Sequence, residues 1–391
     1  MLFQCIKMSY ILYHKNDRNK IKTTDIICDM LYYDEYRKQL ERKIKNKEDN
    51  DMKLDIGINL GGYLSQCCHE ESHYDNFIGE ADIKQIADWS FDHVRLAIDY
   101  EVLEEEDGTK KSSGYERVKR VIEWSKKYNL NIVLDLHKAY GYDFNDAGNS
   151  EKNNLFASEE LQDRFINLWI EIVQNFSSYD NVAFELLNEV VEEENADAWN
   201  KLIDKSVTAI RQYAPTAPII YGGIQWNSVN TLKLLEPPKD ENIIFTFHFY
   251  EPLIFTHQKA YWVKNMDPNR VVNYPGTMEY YKEISKTLGY QGEVAVLSKS
   301  ETMGIEFITE MIEEAIRVSE KHGVKLYCGE FGVIDQAPIE DTLKWFQDVH
   351  AVFTKYNIGG AIWSYRLMDF GLIDDHYAPI LDDLINLWGR N

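Results

Sequence analysis

From Leu54 onward, short apolar runs rich in Val, Ile and Phe alternate with longer stretches whose apolar residues recur every three or four positions. Compact runs of branched and aromatic residues predict strands, and the 3.6-residue period predicts amphipathic helices. The strands fall at Asp55–Leu60, His93–Ile98, Asn131–His137, Val182–Asn188, Ile219–Gly223, Ile243–Tyr250, Lys325–Glu330 and Ala361–Tyr365. Helices such as Glu116–Lys127, Glu160–Gln174 and Ala196–Gln212 fit between them. Eight strand–helix units in alternation predict parallel strands joined by right-handed crossovers, an α/β fold closed as a (β/α)8 TIM barrel. A chain of 391 residues is long for one ordinary domain but suits a barrel with insertions.

Two segments break the rhythm. About fifty residues separate Tyr250 from the next helical pattern at Glu306–Lys321, against about two to six for an ordinary barrel loop. Loops after the C-terminal ends of strands build the active face of a barrel. The span of roughly 251–303 is therefore expected to be a small inserted subdomain walling a substrate cleft, rather than a mere stabilising flap. At the other end, residues 1–51 carry 11 basic against 9 acidic side chains, while the rest carries 31 against 56. Within that extension Asp34–Lys47 reads as a short polar helix, and Met52 offers an internal start. The extension reads as a dispensable appendage to a catalytic domain over 52–391.

Composition narrows the partners. A net charge of −23 argues against nucleic acid, whereas a neutral polymer is not repelled. The odd cysteine count (Cys5, Cys28, Cys67, Cys68 and Cys328) suits a reduced compartment better than a disulfide scaffold. No His/Cys run has zinc spacing, so neither a metal nor another cofactor is expected. No stretch approaches a membrane span, Met1–Tyr13 lacks a secretory apolar core, and a monomer is expected.

Polar residues recur at one end of these apolar strands, where burial is costly without a partner. Arg95 lies in the second strand, His137 ends the third, Asn188 and Glu189 the fourth, His248 and Tyr250 the sixth, and Glu330 the seventh; Trp363 lies in the eighth. All converge on one mouth. Two carboxyl groups flanking a bond are what glycoside hydrolysis requires, one protonated to assist the leaving oxygen and one ionised to attack. Arg95 beside Glu330 favours the ionised form there, while Glu189, with fewer positive neighbours, can keep its proton. Glu185 shares the face of Glu189 but lies deeper, and reads as structural.

The runs FELLNE (Phe184–Glu189), YCGEFGV (Tyr327–Val333), HVRL (His93–Leu96) and GINLGGY (Gly57–Tyr63) resemble glycoside hydrolase family 5, in particular the endoglucanase C type of bacterial cellulase. FNDAGNS (Phe144–Ser150), FHFYEPLIFTHQKAYW (Phe247–Trp262), YPG (Tyr274–Gly276) and WSYRLMDFG (Trp363–Gly371) extend it from about Lys53 to the C-terminus. The resemblance implies a subdomain inserted after strand six, Glu189 as acid/base and Glu330 as nucleophile. It further implies that Asn188 bonds the sugar 2-hydroxyl, that Arg95 and Tyr250 hold Glu330, and that His137 and His248 line the same subsite. Trp363 would be the sugar-stacking floor. Trp226, after the GG turn of strand five, stands open between an outer sugar platform and a structural side chain. The sequence departs from the family pattern at Tyr63, Ala97, Lys138 and Tyr140; Lys138 and Tyr140 fall where non-reducing-side sugars would bind.

The expected activity is a retaining endo-β-1,4-glucanase acting on β-glucan or cello-oligosaccharides. A β-1,3- or mixed-linkage glucanase, a mannanase, an exo-β-glucosidase and a non-catalytic carbohydrate-binding barrel are the alternatives. Retention requires the two carboxyl groups about 5–5.5 Å apart, inversion about 6.5–9.5 Å. A chain beginning at Met52 is expected to fold and to keep full turnover on soluble glucan. Loss of turnover in that folded chain would make the extension a functional arm.

Overall fold

Eight parallel strands close the barrel: β1 (Ile56–Asn59), β2 (His93–Asp99), β3 (Asn131–Lys138), β4 (Val182–Glu185), β5 (Ile219–Gly222), β6 (Ile243–Phe249), β7 (Lys325–Phe331) and β8 (Gly359–Ile362). Each pairs with its neighbours in chain order, and β8 returns to β1 with Ile56 opposite Gly360. The structure is a computed structural model that describes residues 52–389. The polar helix expected at Asp34–Lys47, like the rest of 1–51, lies outside the described residues. From Lys53 onward the chain forms one compact unit.

All eight expected strands are present, with shifted ends. β4 stops at Glu185 rather than Asn188, because the chain then leaves the regular ladder while still bonding across it, Leu186 N–H to Ile220 C=O and Asn188 N–H to Leu136 C=O. β8 stops at Ile362, so Trp363 lies just past its end, its N–H donating to Phe331 C=O. Irregular backbone at these ends is what frees Glu189 and Trp363 to project over the mouth.

The helices cover the outer face. Ser112–Lys127 buries Tyr115, Val118, Val121 and Ile122, one stripe at helical spacing. Glu159–Phe176 starts at Ser158, whose hydroxyl accepts from Leu161 N–H, and buries Phe165, Leu168, Trp169, Ile172 and Val173. The helix expected at Glu306–Lys321 runs Ile305–His322 and ends on Gly323 at φ 69°, the left-handed cap glycine accommodates freely. Among the described residues no helix is long and apolar enough to cross a membrane.

After β6 the long connection carries its own elements. Helices Leu253–Thr256, Met278–Ser285 and Glu293–Leu297 accompany a two-stranded antiparallel ribbon of Gly276–Thr277 with Thr302–Met303. Phe255, Tyr274 and Tyr281 are buried within it, with Phe255 stacked on Tyr274 at 5.2 Å. The Tyr274 hydroxyl donates to Asp348 at 2.7 Å, bolting the insertion to the helix Ile339–Tyr356.

The barrel interior is more polar than an aliphatic packing would make it. His93 and Tyr327 bond across it at 2.9 Å, and a Cβ at Gly57 would lie only 2.4 Å from the His93 ring. One strand period above His93, Arg95 opens the polar layer of the mouth.

Candidate active site

Arg95 is fully buried and directs every guanidinium N–H at an acceptor. Nε and Nη2 donate to the two oxygens of Glu185 at 2.8 and 2.9 Å. Nη2 also meets Asn188 Oδ1 at 2.9 Å and Asp135 Oδ2 at 3.0 Å. Nη1 donates to Asn59 Oδ1 at 2.9 Å and to Glu330 Oε1 at 2.8 Å. One cation thus joins β1, β2, β3, the end of β4 and β7. Burial pushes the Glu185 carboxyl up to about 7, and the bidentate bonds from Arg95 oppose that rise.

Glu330 is held from two sides. Arg95 takes Oε1, and the Tyr250 hydroxyl donates to Oε2 at 2.9 Å. Burial and the adjacent carboxylate drive the Tyr250 hydroxyl well above its ordinary range, so it remains a donor. Asn59, fixed by donating to Gly329 C=O at 2.9 Å, steadies the strand that carries Glu330.

Glu189 has different company. Its Oε1 lies 2.7 Å from Nδ1 of His248, which is itself 3.6 Å from Glu330 Oε2. Burial lowers His248 to about 4, so it is neutral near pH 7 and gives Glu189 no balancing charge. Burial accordingly pushes Glu189 up to about 7, and the positive charge of His137 and Arg95 opposes that rise without reversing it. Glu189, His248 and Glu330 each offer one atom to a cluster whose members all lie within 4.8 Å of one another. The carboxyl oxygens are thus closer than the wide gap an inverting pair leaves for water.

His137 packs between Asp135 and Trp363. Its Nδ1 lies 2.7 Å from Asp135 Oδ2, and its ring stacks on the Trp363 indole at 5.8 Å and 2°. Burial works against a charged ring, but Asp135 outweighs it and raises the His137 pKa. Trp363 lies flat because residue 61 is glycine: a Cβ there would stand 2.8 Å from the indole edge. Asn188 turns its oxygen to Arg95, which aims its amide N–H groups the other way.

The remaining expected residues fall further out. Lys138 pairs with Asp143 at 2.8 Å and lies 3.9 Å from Asp99 Oδ2, away from the two carboxyl groups. Tyr140 is wedged edge-on to Tyr100 and under the Arg164 guanidinium at 3.6 Å. Trp226, half-buried at φ 55°, stacks on Tyr290 of the insertion at 5.9 Å and 20°.

Sequence reading missed Asn59, Asp135 and Gln66, whose side chain meets His137 at 3.1 Å. Asp135 was detectable, since it precedes His137 by one strand period within an apolar run. Also missed were Tyr290 and Trp262. Trp262 is half exposed and continues an aromatic row from Tyr250 through His257, with ring spacings of 4.9 and 6.2 Å. Nothing in the local pattern separates these from ordinary surface aromatics.

The cellulase (glycosyl hydrolase family 5) profile matches residues 57–368. The chain belongs to glycosyl hydrolase family 5. Endoglucanase C of Acetivibrio thermocellus is 41% identical over 85% of this chain and 97% of its own length. Cellodextrinase A of Ruminococcus flavefaciens is 42% identical over 77% and 82% respectively. The crystal structure of an endoglucanase from the hyperthermophilic Thermotoga maritima superposes with a TM-score of 0.68 at 25% identity, covering 86% of this chain and 97% of that one. The protein is a glycoside hydrolase of this family, and its barrel is the family's barrel.

Two outcomes follow from the geometry. kcat/KM should fall on the alkaline side with an apparent pKa near 7, because Glu189 must hold its proton and its pKa is raised to about 7. Glu189→Gln should abolish that limb in a pH profile taken with an activated aryl glycoside. Arg95→Met leaves three buried acids without their shared cation, and should cost ~3–5 kcal/mol of stability in a denaturant titration.

Proposed function

We propose that the protein is a retaining endo-β-1,4-glucanase that cleaves β-glucan chains and cello-oligosaccharides by double displacement. The observation carrying this reading is the unlike pair of carboxyl groups: Glu330 between Arg95 and Tyr250, and Glu189 against neutral His248, their oxygens within 4.8 Å. The names of the relatives, an endoglucanase and a cellodextrinase, support a β-1,4-linked glucose polymer or its fragments as substrate.

In the first step an oxygen of Glu330 attacks the anomeric carbon. The glycosidic C–O bond breaks, its electron pair stays on the leaving oxygen, and Glu189 supplies that oxygen with a proton. The product is a glycosyl ester on Glu330 and an ionised Glu189. Esterification removes the negative charge of Glu330, so the Glu189 pKa falls and its carboxylate becomes a base. Water then attacks the same carbon, its proton passes to Glu189, and the ester bond breaks to restore Glu330. Configuration is retained because the centre inverts twice.

Asn188, oriented by Arg95, donates to the 2-hydroxyl of the sugar being cleaved, and Trp363 forms the floor beneath it. His137 and His248 line this subsite. Lys138 serves its outer, non-reducing side through its pairs with Asp143 and Asp99. Trp226 with Tyr290 forms a platform for a further sugar, an aromatic surface partly open to solvent and rigid enough to stack on a pyranose face.

Product analysis on soluble β-glucans and cello-oligosaccharides tests the substrate. Release of cello-oligosaccharides from the middle of β-1,4-glucan chains is expected; preferential cleavage of β-1,3-glucan or mannan, or release of glucose alone from chain ends, would overturn the reading. Removing either carboxyl group should cost at least ~100-fold in turnover. Glu189→Gln should still glycosylate Glu330 from an activated aryl glycoside, stall, and recover with azide to give a β-glycosyl azide. Glu330→Gln should form no covalent intermediate with any substrate. A β product from azide rescue of Glu330→Gln would exchange the two roles.

A further inference from the structure

Outside the catalytic pair, His69, Asp99 and Glu101 bring three ligating atoms within 4.8 Å of one another. Asp99 ends β2 at zero exposure. Its Oδ2 accepts from Gln66 N–H at 2.7 Å and lies 3.3 Å from His69 Nε2, yet its Oδ1 is buried with no partner. The Oε2 of Glu101 is likewise buried and unpartnered. Two orphaned carboxylate oxygens in one cluster are expensive, since each has lost water without a replacement donor. The imidazole is already aimed: Nδ1 is 2.8 Å from the Tyr74 hydroxyl and 3.6 Å from Cys67 Sγ, so Nε2 faces the carboxylates. Metal-bound histidines are oriented in this way through their other ring nitrogen.

We propose that His69, Asp99 and Glu101 form a binding site for a divalent cation of the zinc type. One imidazole nitrogen with two carboxylate oxygens is the mixed donor set zinc accepts in three-ligand sites, leaving a position for water. Calcium and magnesium prefer oxygen alone. Two cations compete with the metal: the proton of His69, which its bond to Asp99 holds up to about 10 and which zinc must displace, and Lys138, whose ammonium is 3.9 Å from Asp99 Oδ2 but 2.8 Å from Asp143 and so has a better partner to hold. The ligands are spread over thirty-three positions in no repeating motif, which is why cysteine and histidine spacing does not disclose them. A cation here ties the segment after β1 to the end of β2. That segment carries Gln66, which reaches His137 at 3.1 Å, so the site steadies the rim of the non-reducing-side subsite.

Calorimetric titration of the full-length protein with Zn2+ alone tests this, with stoichiometry as the readout. Glu189, His248 and Glu330 form a second group of the same compactness, so Glu330→Gln is the control for metal at the catalytic pair. One equivalent is expected in the wild type and in Glu330→Gln, and that equivalent should vanish in His69→Gln and Asp99→Asn. Tyr74→Phe, which removes only the hydroxyl that orients His69, should weaken it ~10–100-fold. Zn2+ should raise the Tm of the wild type and leave that of His69→Gln unchanged. His69 is partly exposed, so His69→Gln is expected to fold. Binding that persists in His69→Gln, binding lost only in Glu330→Gln, or no binding by the folded wild type would each overturn the proposal.

Discussion

A single buried cation organises the mouth of this barrel. Arg95 has no exposed surface, and stripping its hydration is tolerable only because five N–H groups all find oxygen acceptors. Those acceptors come from four other strands or their ends, so the guanidinium acts as a rigid planar template for the layer above it. Asn188 is turned by it, Glu330 is anchored by it, and Glu185 and Asp135 are assembled around it. Lysine could not replace it, because one point charge cannot hold oxygens in a fixed planar fork.

Three carboxyl groups share one guanidinium, and the groups around them set Glu189 apart from Glu330. Asp135 holds the pKa of His137 above its ordinary value against the effect of burial, which favours positive charge on that side. His248 is as deeply buried but lacks a partner that outweighs desolvation, and stays neutral near pH 7. Glu189 bonds to that neutral ring, so its proton is not displaced by charge, and burial keeps it on the carboxyl up to about pH 7. Glu330 faces a cation and a phenol donor instead. Two chemically identical side chains thereby meet opposite surroundings a few ångströms apart.

Around this polar centre the walls are aromatic. Trp363 is pressed against His137 with Gly61 beneath it, and Tyr250, His257 and Trp262 lead outward into the insertion after β6. Opposite faces of a sugar ring are C–H rich, and rigid aromatic surfaces take them up with little loss of side-chain freedom. The insertion is bolted to the barrel through Tyr274 and Asp348, so Tyr290 meets Trp226 from a supported position.

The chain itself determined the eight strands, their order and the two glutamates, because alternation along a strand and stripes along a helix are local properties. A polar residue in or at the end of an apolar run stands out for the same reason, and Arg95, Glu189, Glu330, His248 and Tyr250 were all legible on that ground. The exact ends of β4 and β8 were not, since they depend on where neighbouring strands stop offering partners. Nor were the roles of Asn59 and Asp135, the stacking of Trp226 on Tyr290, or the gathering of His69, Asp99 and Glu101. Each joins residues distant along the chain, through a contact that exists only once the barrel closes or a loop packs down. Tertiary structure also decided the raised pKa of Glu189, because desolvation is a property of the enclosing volume, and no stretch of sequence contains that volume.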